Sequence, residues 1–180
     1  MKVLCIIPAR YASTRLPGKP LRDIAGKPMI VRVYERAARA RLVQDVVVAT
    51  DDERILAAVE KHGGRAVMTR ADHATGTDRL AEVAEKMTDY DLIINVQGDE
   101  PLIDPAVIDA LVEPFLTDEN LPMATVKTLL VDVMEIANPN NVKVITDCAG
   151  NALYFSRARI PYARNAGAKV YKHIGIYAYR

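Results

Sequence analysis

A run of cations directly follows the first apolar stretch of the chain. The segment from 8 to 22 contains Arg10, Arg15, Lys19 and Arg22 and no carboxylate. Ligands bind at the carboxyl ends of parallel strands in open α/β sheets, and several cations there suit several phosphates. The segment lacks the GxxxxGK[ST] and GxGxxG patterns, which argues against kinase and dehydrogenase sites. It therefore predicts a polyphosphate-binding loop, with a solvated basic loop as the alternative.

An acidic turn after a second apolar run is the next candidate. The residues Leu92–Val96 lead into Gln97, Gly98 and Asp99. Asp99 would lie at the same sheet edge as the basic loop, where its hard oxygen ligands could hold Mg²⁺ against a nucleotide phosphate. This combination indicates phosphoryl or nucleotidyl transfer. The alternative is an ordinary Gly-Asp turn.

The polar loop before the next amphipathic stretch combines a helix cap with candidate ligand residues. Thr75 and Asp78 have the spacing of a capping box, which is a sufficient structural reason for both. The residues that remain for ligand binding are Arg70, His73, Thr77 and Arg79. His73 has no second His or Cys at metal-ligand spacing, so a hydrogen-bonded or exposed histidine is favoured.

Cations also gather near the end of the chain, at Arg157, Arg159, Lys172 and His173. Arginine presents a fork that matches a carboxylate, so this group could recognise an acidic co-substrate. Charges along the edge of a hairpin, where they discourage strand pairing, are an equally good explanation.

The elements that must position these residues follow a βαβ rhythm. Apolar runs bounded by Pro, Gly and Asp alternate with amphipathic stretches, which predicts an α/β fold with a mostly parallel sheet covered by helices. The predicted strands are Val3–Ile7, Val46–Thr50, Ala66–Met68, Leu92–Val96 and Met123–Leu130. Asp104 is the predicted N-cap of one helix, and Asp51 that of another.

The pattern changes at Val142. Alternation over Val142–Thr146 and Ala152–Ser156, around a turn at 147–150, predicts a β-hairpin. Five of the eight tyrosines lie in the last 27 residues, at positions 154, 162, 171, 177 and 179. They could be covered by a partner subunit or could complete the core of the monomer, and the sequence leaves both possibilities open.

Composition limits the class of protein. The 180 residues suit one domain, and 24 Lys plus Arg against 23 Asp plus Glu give a net charge of +1. A net charge this small does not attract nucleic acid or an anionic membrane to the protein as a whole. With no signal-peptide core, no long apolar run and only Cys5 and Cys148, we expect a soluble cytoplasmic protein.

The chain closely resembles one family, the 3-deoxy-manno-octulosonate cytidylyltransferases or CMP-Kdo synthetases. The matching stretches are IIPARYASTRLPGKPL, VATDDE, MTRADHATGTDRLAE, INVQGDEP, ANPNNVKV, YFSRARIP and KHIGIYAYR. The resemblance implies a Rossmann-like α/β fold of the nucleotide-diphospho-sugar transferase type, with a β-hairpin dimerisation region near the C-terminus. It implies a single nucleotidyltransferase domain over 1–180, in which 142–180 supply dimer and sugar contacts.

The resemblance also implies a reaction and its residues. CTP and 3-deoxy-D-manno-octulosonate (Kdo) would give CMP-Kdo and diphosphate for lipopolysaccharide synthesis, with Mg²⁺ required, in a cytoplasmic homodimer. By this resemblance, Arg10, Arg15, Lys19 and Asp99 would be catalytic. Arg10, Arg15 and Lys19 would bind the triphosphate, Asp99 the metal, Arg70, Thr77 and Gln97 the cytidine, and Arg79, Arg157 and His173 the sugar.

The sequence departs from the family pattern in two places and leaves two alternative functions open. The chain ends at Arg180, where family members continue with a part that carries a second metal ligand, so a non-catalytic nucleotide-binding fragment is one alternative. Arg159 is an extra cation within FSRxxIP. A cytidylyltransferase for another acid sugar, 8-amino-Kdo or a sialic acid, is the other alternative.

Overall fold

The chain forms two compact units in a computed structural model that describes residues 1–12, 16–165 and 167–180. The first unit comprises Met1–Ala124 and Ile176–Arg180, and the second Thr125–Gly175. The strands are β1 (Val3–Ala9), β2 (Asp23–Ile24), β3 (Lys27–Pro28), β4 (Asp45–Thr50), β5 (Ala66–Met68), β6 (Leu92–Asn95), β7 (Met123–Leu130), β8 (Lys143–Thr146), β9 (Ala152–Ser156) and β10 (Val170–Tyr179). The helices are α1 (Met29–Ala37), α2 (Glu53–Lys61), α3 (Gly76–Lys86), α4 (Pro105–Thr117) and α5 (Val133–Ala137).

The main sheet of the first unit has the order β5-β4-β1-β6, and these strands are parallel. The last residues of β10 add antiparallel to β6, with Tyr177 opposite Asn95. The continuous apolar runs of β1 and β6 are buried, because helices cover both faces of a parallel sheet. The predicted strands are confirmed, and β1, β4, β5 and β6 have the predicted parallel arrangement, whereas the pairings of β10 and of β8 with β9 are antiparallel.

Helices pack on this sheet through their apolar faces. Leu80 and Val83 of α3 lie in one core cluster with Leu4, Ile6 and Ile93. Two predicted helix starts are confirmed, since the Asp104 carboxylate accepts the N–H of Ala106 and Thr75 with Asp78 forms a capping box. In the described parts of the chain, no helix has the length and apolar character needed to cross a membrane.

The predicted cap of α2 was wrong by one residue. Asp52, and not Asp51, accepts the N–H of Arg54 at 3.0 Å and begins the helix. Asp51 instead accepts a hydrogen bond from the guanidinium of Arg79 at 2.7 Å. Two adjacent acids can each cap a helix, and a distant arginine that contacts one of them leaves the other for the cap.

In the second unit, β8 and β9 form the predicted antiparallel hairpin. Gly150 in its turn has φ 92°, a conformation that glycine adopts without a side-chain clash. The first half of β10 pairs antiparallel with β8 on its other edge, with Tyr171 opposite Val144. The predicted hairpin is therefore confirmed as part of a three-stranded arrangement within this unit.

Candidate active site

The carboxyl ends of β1 and β6 and the start of α3 meet at Pro8. A Cβ at Gly98 would lie only 2.8 Å from the Pro8 carbonyl oxygen, a distance that real Cβ atoms do not show. A Cβ at Gly76 would lie 3.4 Å from the Pro8 ring. Gly98 therefore lets the turn after β6 approach the backbone of β1, which brings the acidic turn next to the basic loop.

Lys19 and Asp99 make the central contact of this edge. The Lys19 ammonium lies 2.5 Å from Asp99 Oδ2, and the two side chains are 40% and 50% exposed. Gly18, with φ 68°, turns the chain just before Lys19 and donates its N–H to the Tyr11 carbonyl at 2.9 Å. An ion pair this exposed adds little stability, so both charged groups are available to a ligand.

Two further basic residues, Arg10 and Arg15, precede Lys19 in the sequence. Arg10 lies half-buried just beyond β1, and its charge contributes to a lowered pKa of Asp78, for which the Thr75 hydroxyl is the largest cause. Arg10 is therefore near the start of α3 as well as in the basic loop. Arg15, the third predicted triphosphate residue, lies outside the described residues.

A cation that the sequence did not single out contacts the basic loop. The Arg54 guanidinium lies 3.4 Å from the centre of the Tyr11 ring, and Asp52 holds it through two hydrogen bonds of 2.9 and 2.7 Å. The same hydrogen bonds lower the pKa of Asp52. Tyr11 in turn lies against Gly18, where a Cβ would come within 3.2 Å of its ring. No sequence pattern links these positions, because the contact joins the loop after β1 to the first turn of α2.

The start of α3 presents Thr77 to solvent. The capping box places the Asp78 carboxylate 2.8 Å from the Thr75 N–H and the Thr75 hydroxyl 3.1 Å from the Asp78 N–H. Thr77 follows in the first turn with its side chain exposed. Unpaired N–H groups and the helix dipole make such a start favourable to anions and polar ligands.

Arg70 lines a cleft of about 500 Å³ beside α3. Its guanidinium is exposed and donates to Asp72 at 3.1 Å. His73 on the same wall is nearly buried, with Nε2 only 2.5 Å from Glu82 Oε2. Hydrogen bonds from Lys86, His73 and the Arg70 backbone lower the pKa of Glu82 to about 2. The prediction of a hydrogen-bonded His73 is confirmed, and the exposed guanidinium of Arg70 is one of the charged groups that line the cleft.

Arg79 is fully buried inside the first unit. It donates to Asp51 at 2.7 Å and to the Thr69 hydroxyl, and that hydroxyl donates to the Thr50 carbonyl at 3.1 Å. These bonds tie α3 to the carboxyl ends of β4 and β5. The predicted contact of Arg79 with a sugar stays a prediction.

Gln97 and Asp99 follow β6 on the edge just described. Gln97 is half-buried, and its carbonyl accepts the N–H of Glu100 at 3.2 Å in the turn that exposes Asp99. Asn95, the last residue of β6, is buried, and its Oδ1 has no hydrogen-bond partner among the described residues. In the same part of the chain, no cluster of three or more His, Cys, Asp or Glu could hold a metal.

The two remaining predicted sugar residues belong to the second unit. Arg157 follows β9, is exposed, and donates from Nη1 to the Pro139 carbonyl at 2.9 Å. His173 of β10 lies with Nε2 3.0 Å from the Thr125 hydroxyl and with its ring edge-on to Phe155 at 4.8 Å. Burial lowers the pKa of His173. Each of these side chains is therefore held by its own unit.

Comparison with known proteins identifies the family. A family model described as cytidylyltransferase matches residues 4–180. The 3-deoxy-manno-octulosonate cytidylyltransferase of Geotalea uraniireducens is 55% identical, over 100% of this chain and 76% of the relative. The enzyme of that name from Fusobacterium nucleatum is also 55% identical, over 100% of this chain and 74% of the relative.

A solved structure supports the same assignment. It is CMP:2-keto-3-deoxy-manno-octonic acid synthetase complexed with CTP, with a TM-score of 0.95 and 52% identity, over 100% of this chain and 74% of that chain. A cytidylyltransferase from Leptospira borgpetersenii is more distant, with a TM-score of 0.62 and 30% identity over 69% of this chain and 53% of its own. The chain therefore belongs to the cytidylyltransferase family and, within it, to the 3-deoxy-manno-octulosonate cytidylyltransferases.

Proposed function

We propose that this chain transfers CMP from CTP to Kdo, which gives CMP-Kdo and diphosphate for lipopolysaccharide synthesis. The observation that carries the proposal is the exposed contact between Lys19 and Asp99 at the ends of β1 and β6, in a chain of this family. The solved relative at 52% identity is a complex with CTP, which supports CTP as the nucleotide.

The reaction needs positioning and charge neutralisation more than a protein nucleophile. The anomeric oxygen of the sugar attacks the α-phosphorus, its proton leaves, and the bond from that phosphorus to the diphosphate oxygen breaks. Arg10, Arg15 and Lys19 would bind the triphosphate and stabilise the charge that develops on its oxygens. The proposal therefore gives these three cations a role in both binding and catalysis.

The proposed cofactor is Mg²⁺, with Asp99 as its protein ligand. The ion commonly takes one or two carboxylates together with substrate phosphates and water, so a half-exposed carboxylate beside a phosphate-binding loop fits it. When bound, it would neutralise phosphate charge and favour the departure of diphosphate. Lys19 already neutralises Asp99 at 2.5 Å in the structure, so it would turn to the triphosphate when the carboxylate takes a cation.

The remaining contacts divide between nucleoside and sugar. Arg70 and Thr77 are exposed and would face the cytidine, and the amide of Gln97 would reach ribose hydroxyls. Arg157 would pair with the sugar carboxylate through its fork. For Arg79 we propose that its buried hydrogen bonds hold the start of α3 in place next to the substrates.

His173 completes the proposed sugar site as a neutral group. Burial lowers the pKa of His173 from its usual value near 6.5, so the ring is uncharged at pH 7 in the free protein. A neutral imidazole has one donor and one acceptor, and Nε2 is already 3.0 Å from the Thr125 hydroxyl, so a sugar hydroxyl would exchange with or extend this contact. Arg157 is then the cation that meets the carboxylate in the second unit.

We also propose a homodimer that covers the second unit. Its exposed apolar side chains, each 60% exposed or more, are Val131, Val133, Met134, Leu153, Tyr154 and Tyr162. Such a concentration of apolar surface is typical of a protein interface. Tyr154 and Tyr162 are thus candidates for cover by a partner, whereas Tyr177 and Tyr179 stack on each other in the first unit.

Two further parts of the proposal concern domain and compartment. The family match over 4–180 supports a single nucleotidyltransferase domain that includes both units. Cys5 and Cys148 are free thiols, which suits a protein of the reducing cytoplasm.

Diphosphate release tests the proposal. The chain is assayed with Mg²⁺ and CTP, UTP or ATP, each with Kdo, 8-amino-Kdo, a sialic acid or no sugar. We expect release with CTP and Kdo only. Equal turnover with UTP or ATP would contradict the cytidine specificity, and faster turnover with another acid sugar would replace Kdo. CTP binding without release for any sugar would indicate a non-catalytic nucleotide-binding chain.

A further inference from the structure

The side chain of Lys143 is fully buried in the second unit, although it carries a charge. It lies on β8 opposite Ser156 of β9. Its ammonium donates to the carbonyl oxygens of Asn138 at 3.0 Å, Asn141 at 2.7 Å and Arg157 at 2.7 Å. An ammonium has three donors, so these carbonyls satisfy all of them.

These bonds reach both parts of the chain that hold Arg157. The Arg157 carbonyl accepts directly from Lys143, and the Arg157 guanidinium donates to the carbonyl of Pro139. Pro139 lies between Asn138 and Asn141, whose carbonyls accept the other two bonds. The ammonium therefore fixes the backbone of Arg157 and the segment on which its side chain rests.

The segment 138–141 is also anchored on its other side. The Asn141 amide is buried and donates to the Glu135 carbonyl at 2.9 Å and to the Glu135 carboxylate at 2.6 Å. Lys143 thus joins an anchored turn to the residue that follows β9. An apolar side chain at this position would leave three backbone carbonyls without this donor, so the ammonium holds the turn and the residue after β9 together.

We propose that Lys143 is a positioning residue for the acid-sugar site, and that it acts by holding Arg157 in place for the sugar carboxylate. The inference rests on the proposed function. An arginine whose backbone and guanidinium are already fixed loses less freedom when a carboxylate binds, so the sugar binds more tightly.

Steady-state kinetics of Lys143→Met, Arg157→Ala and the double variant test this inference on the whole chain. We expect Lys143→Met to raise the KM for Kdo about tenfold, as for a lost hydrogen bond to a charged group, while the KM for CTP changes less than twofold. The substitution should add nothing further to the KM for Kdo in the Arg157→Ala background, because its effect passes through Arg157. Lys169→Met, at an exposed lysine of the same unit, should leave both constants unchanged.

Folding is checked by circular dichroism and thermal melting, with Lys143→Gln as a second variant that keeps donors without the charge. Three outcomes would overturn the inference. They are an unchanged KM for Kdo in a folded Lys143 variant, additive effects in the double variant, and failure of both Lys143 variants to fold. Failure to fold would mean that Lys143 supports the whole unit and not one side chain. A wild-type chain that releases no diphosphate with Kdo would instead overturn the proposed function.

Discussion

The two units of the chain are stabilised in different ways. In the first, β1 and β6 are buried along nearly their whole length and the core is aliphatic. In the second, Val144 and Val170 are the buried apolar side chains among the described residues, and Lys143 and Asn141 are buried with them. The first unit therefore has its own hydrophobic core, whereas the second relies on buried hydrogen bonds and leaves apolar side chains in solvent.

This difference matches a division of labour in the proposed enzyme. A close-packed parallel sheet positions loops rigidly, which suits the phosphate chemistry proposed for Lys19 and Asp99. A unit with an exposed apolar face suits association, and its hydrogen-bonded interior suits the holding of Arg157. If this division holds, substitutions of Lys19 or Asp99 in the first unit should change catalysis. Substitutions of the exposed apolar side chains of the second unit should change association.

The largest effect is expected from Asp99→Asn. Loss of the carboxylate charge removes the proposed protein ligand for Mg²⁺, so kcat for diphosphate release should fall by roughly a hundredfold to a thousandfold. Asp99 is half-exposed and its ion pair adds little stability, so the melting temperature should stay unchanged. The measurement is steady-state kinetics across Mg²⁺ concentrations, together with thermal melting.

The control for Asp99→Asn is the mass of the particle in solution. The mass should be the same for wild type and variant, because Asp99 belongs to the first unit and the proposed interface to the second. Near-normal kcat would remove Asp99 from the mechanism. A changed mass would break the comparison, since a substitution at the catalytic edge would then affect association.

A smaller loss is expected from Lys19→Ala. Charge-assisted hydrogen bonds are worth about 1.5–3 kcal/mol, so the KM for CTP should rise roughly tenfold to a hundredfold. The KM for Kdo should change little, because the proposed sugar contacts lie elsewhere. Initial rates with each substrate varied in turn give both constants. Equal changes in the two constants would contradict the assignment of Lys19 to the triphosphate.

Much of the fold could be predicted because its signals are local. Continuous apolar runs predicted β1, β4 and β6, and side-chain spacing predicted the cap at Thr75. The choice between Asp51 and Asp52 could not be predicted, because it depends on Arg79, which lies far along the sequence. Local patterns cannot indicate which of two adjacent acids a distant cation will contact.

The candidate site could be predicted where its signals are local, and the prediction missed the residues whose contacts are distant in the sequence. Cation density indicated the basic loop, and the Gly-Asp turn after an apolar run indicated Asp99, which the structure brings together with Lys19. Arg54 was missed because its contact with Tyr11 joins the first turn of α2 to a distant loop, and the two positions share no pattern. Lys143 was missed because it occupies a hairpin strand, where the sequence gives no sign that backbone carbonyls surround it.

The association side of the comparison is tested by Val131→Glu and its matched control Leu102→Glu. Val131 is 82% exposed in the second unit, and Leu102 is 86% exposed in the first. A carboxylate at a dimer interface must be desolvated, so Val131→Glu should weaken self-association by about tenfold or more. Leu102→Glu should leave it unchanged. Light scattering over a dilution series measures both, and equal shifts would show that the apolar face is not the interface.

The smallest effect is expected at Glu82, on the helix beside the catalytic edge. Hydrogen bonds from Lys86, His73 and the Arg70 backbone lower its pKa to about 2 from the usual 4.5, so the folded state binds this proton less readily than the unfolded state. The resulting stabilisation is fully present above about pH 4.5 and is lost as the pH falls towards 2. Glu82→Gln should therefore lower the melting temperature slightly at pH 6 and flatten its decline between pH 4.5 and 2.

The matched variant in the second unit is Asp147→Asn, since hydrogen bonds from Asn151 lower the pKa of Asp147 as well. If the units differ in stability as their cores do, hydrogen exchange should show Glu82→Gln loosening α3 and Asp147→Asn loosening only the hairpin; loosening of both regions by either variant would mean that the two units unfold together.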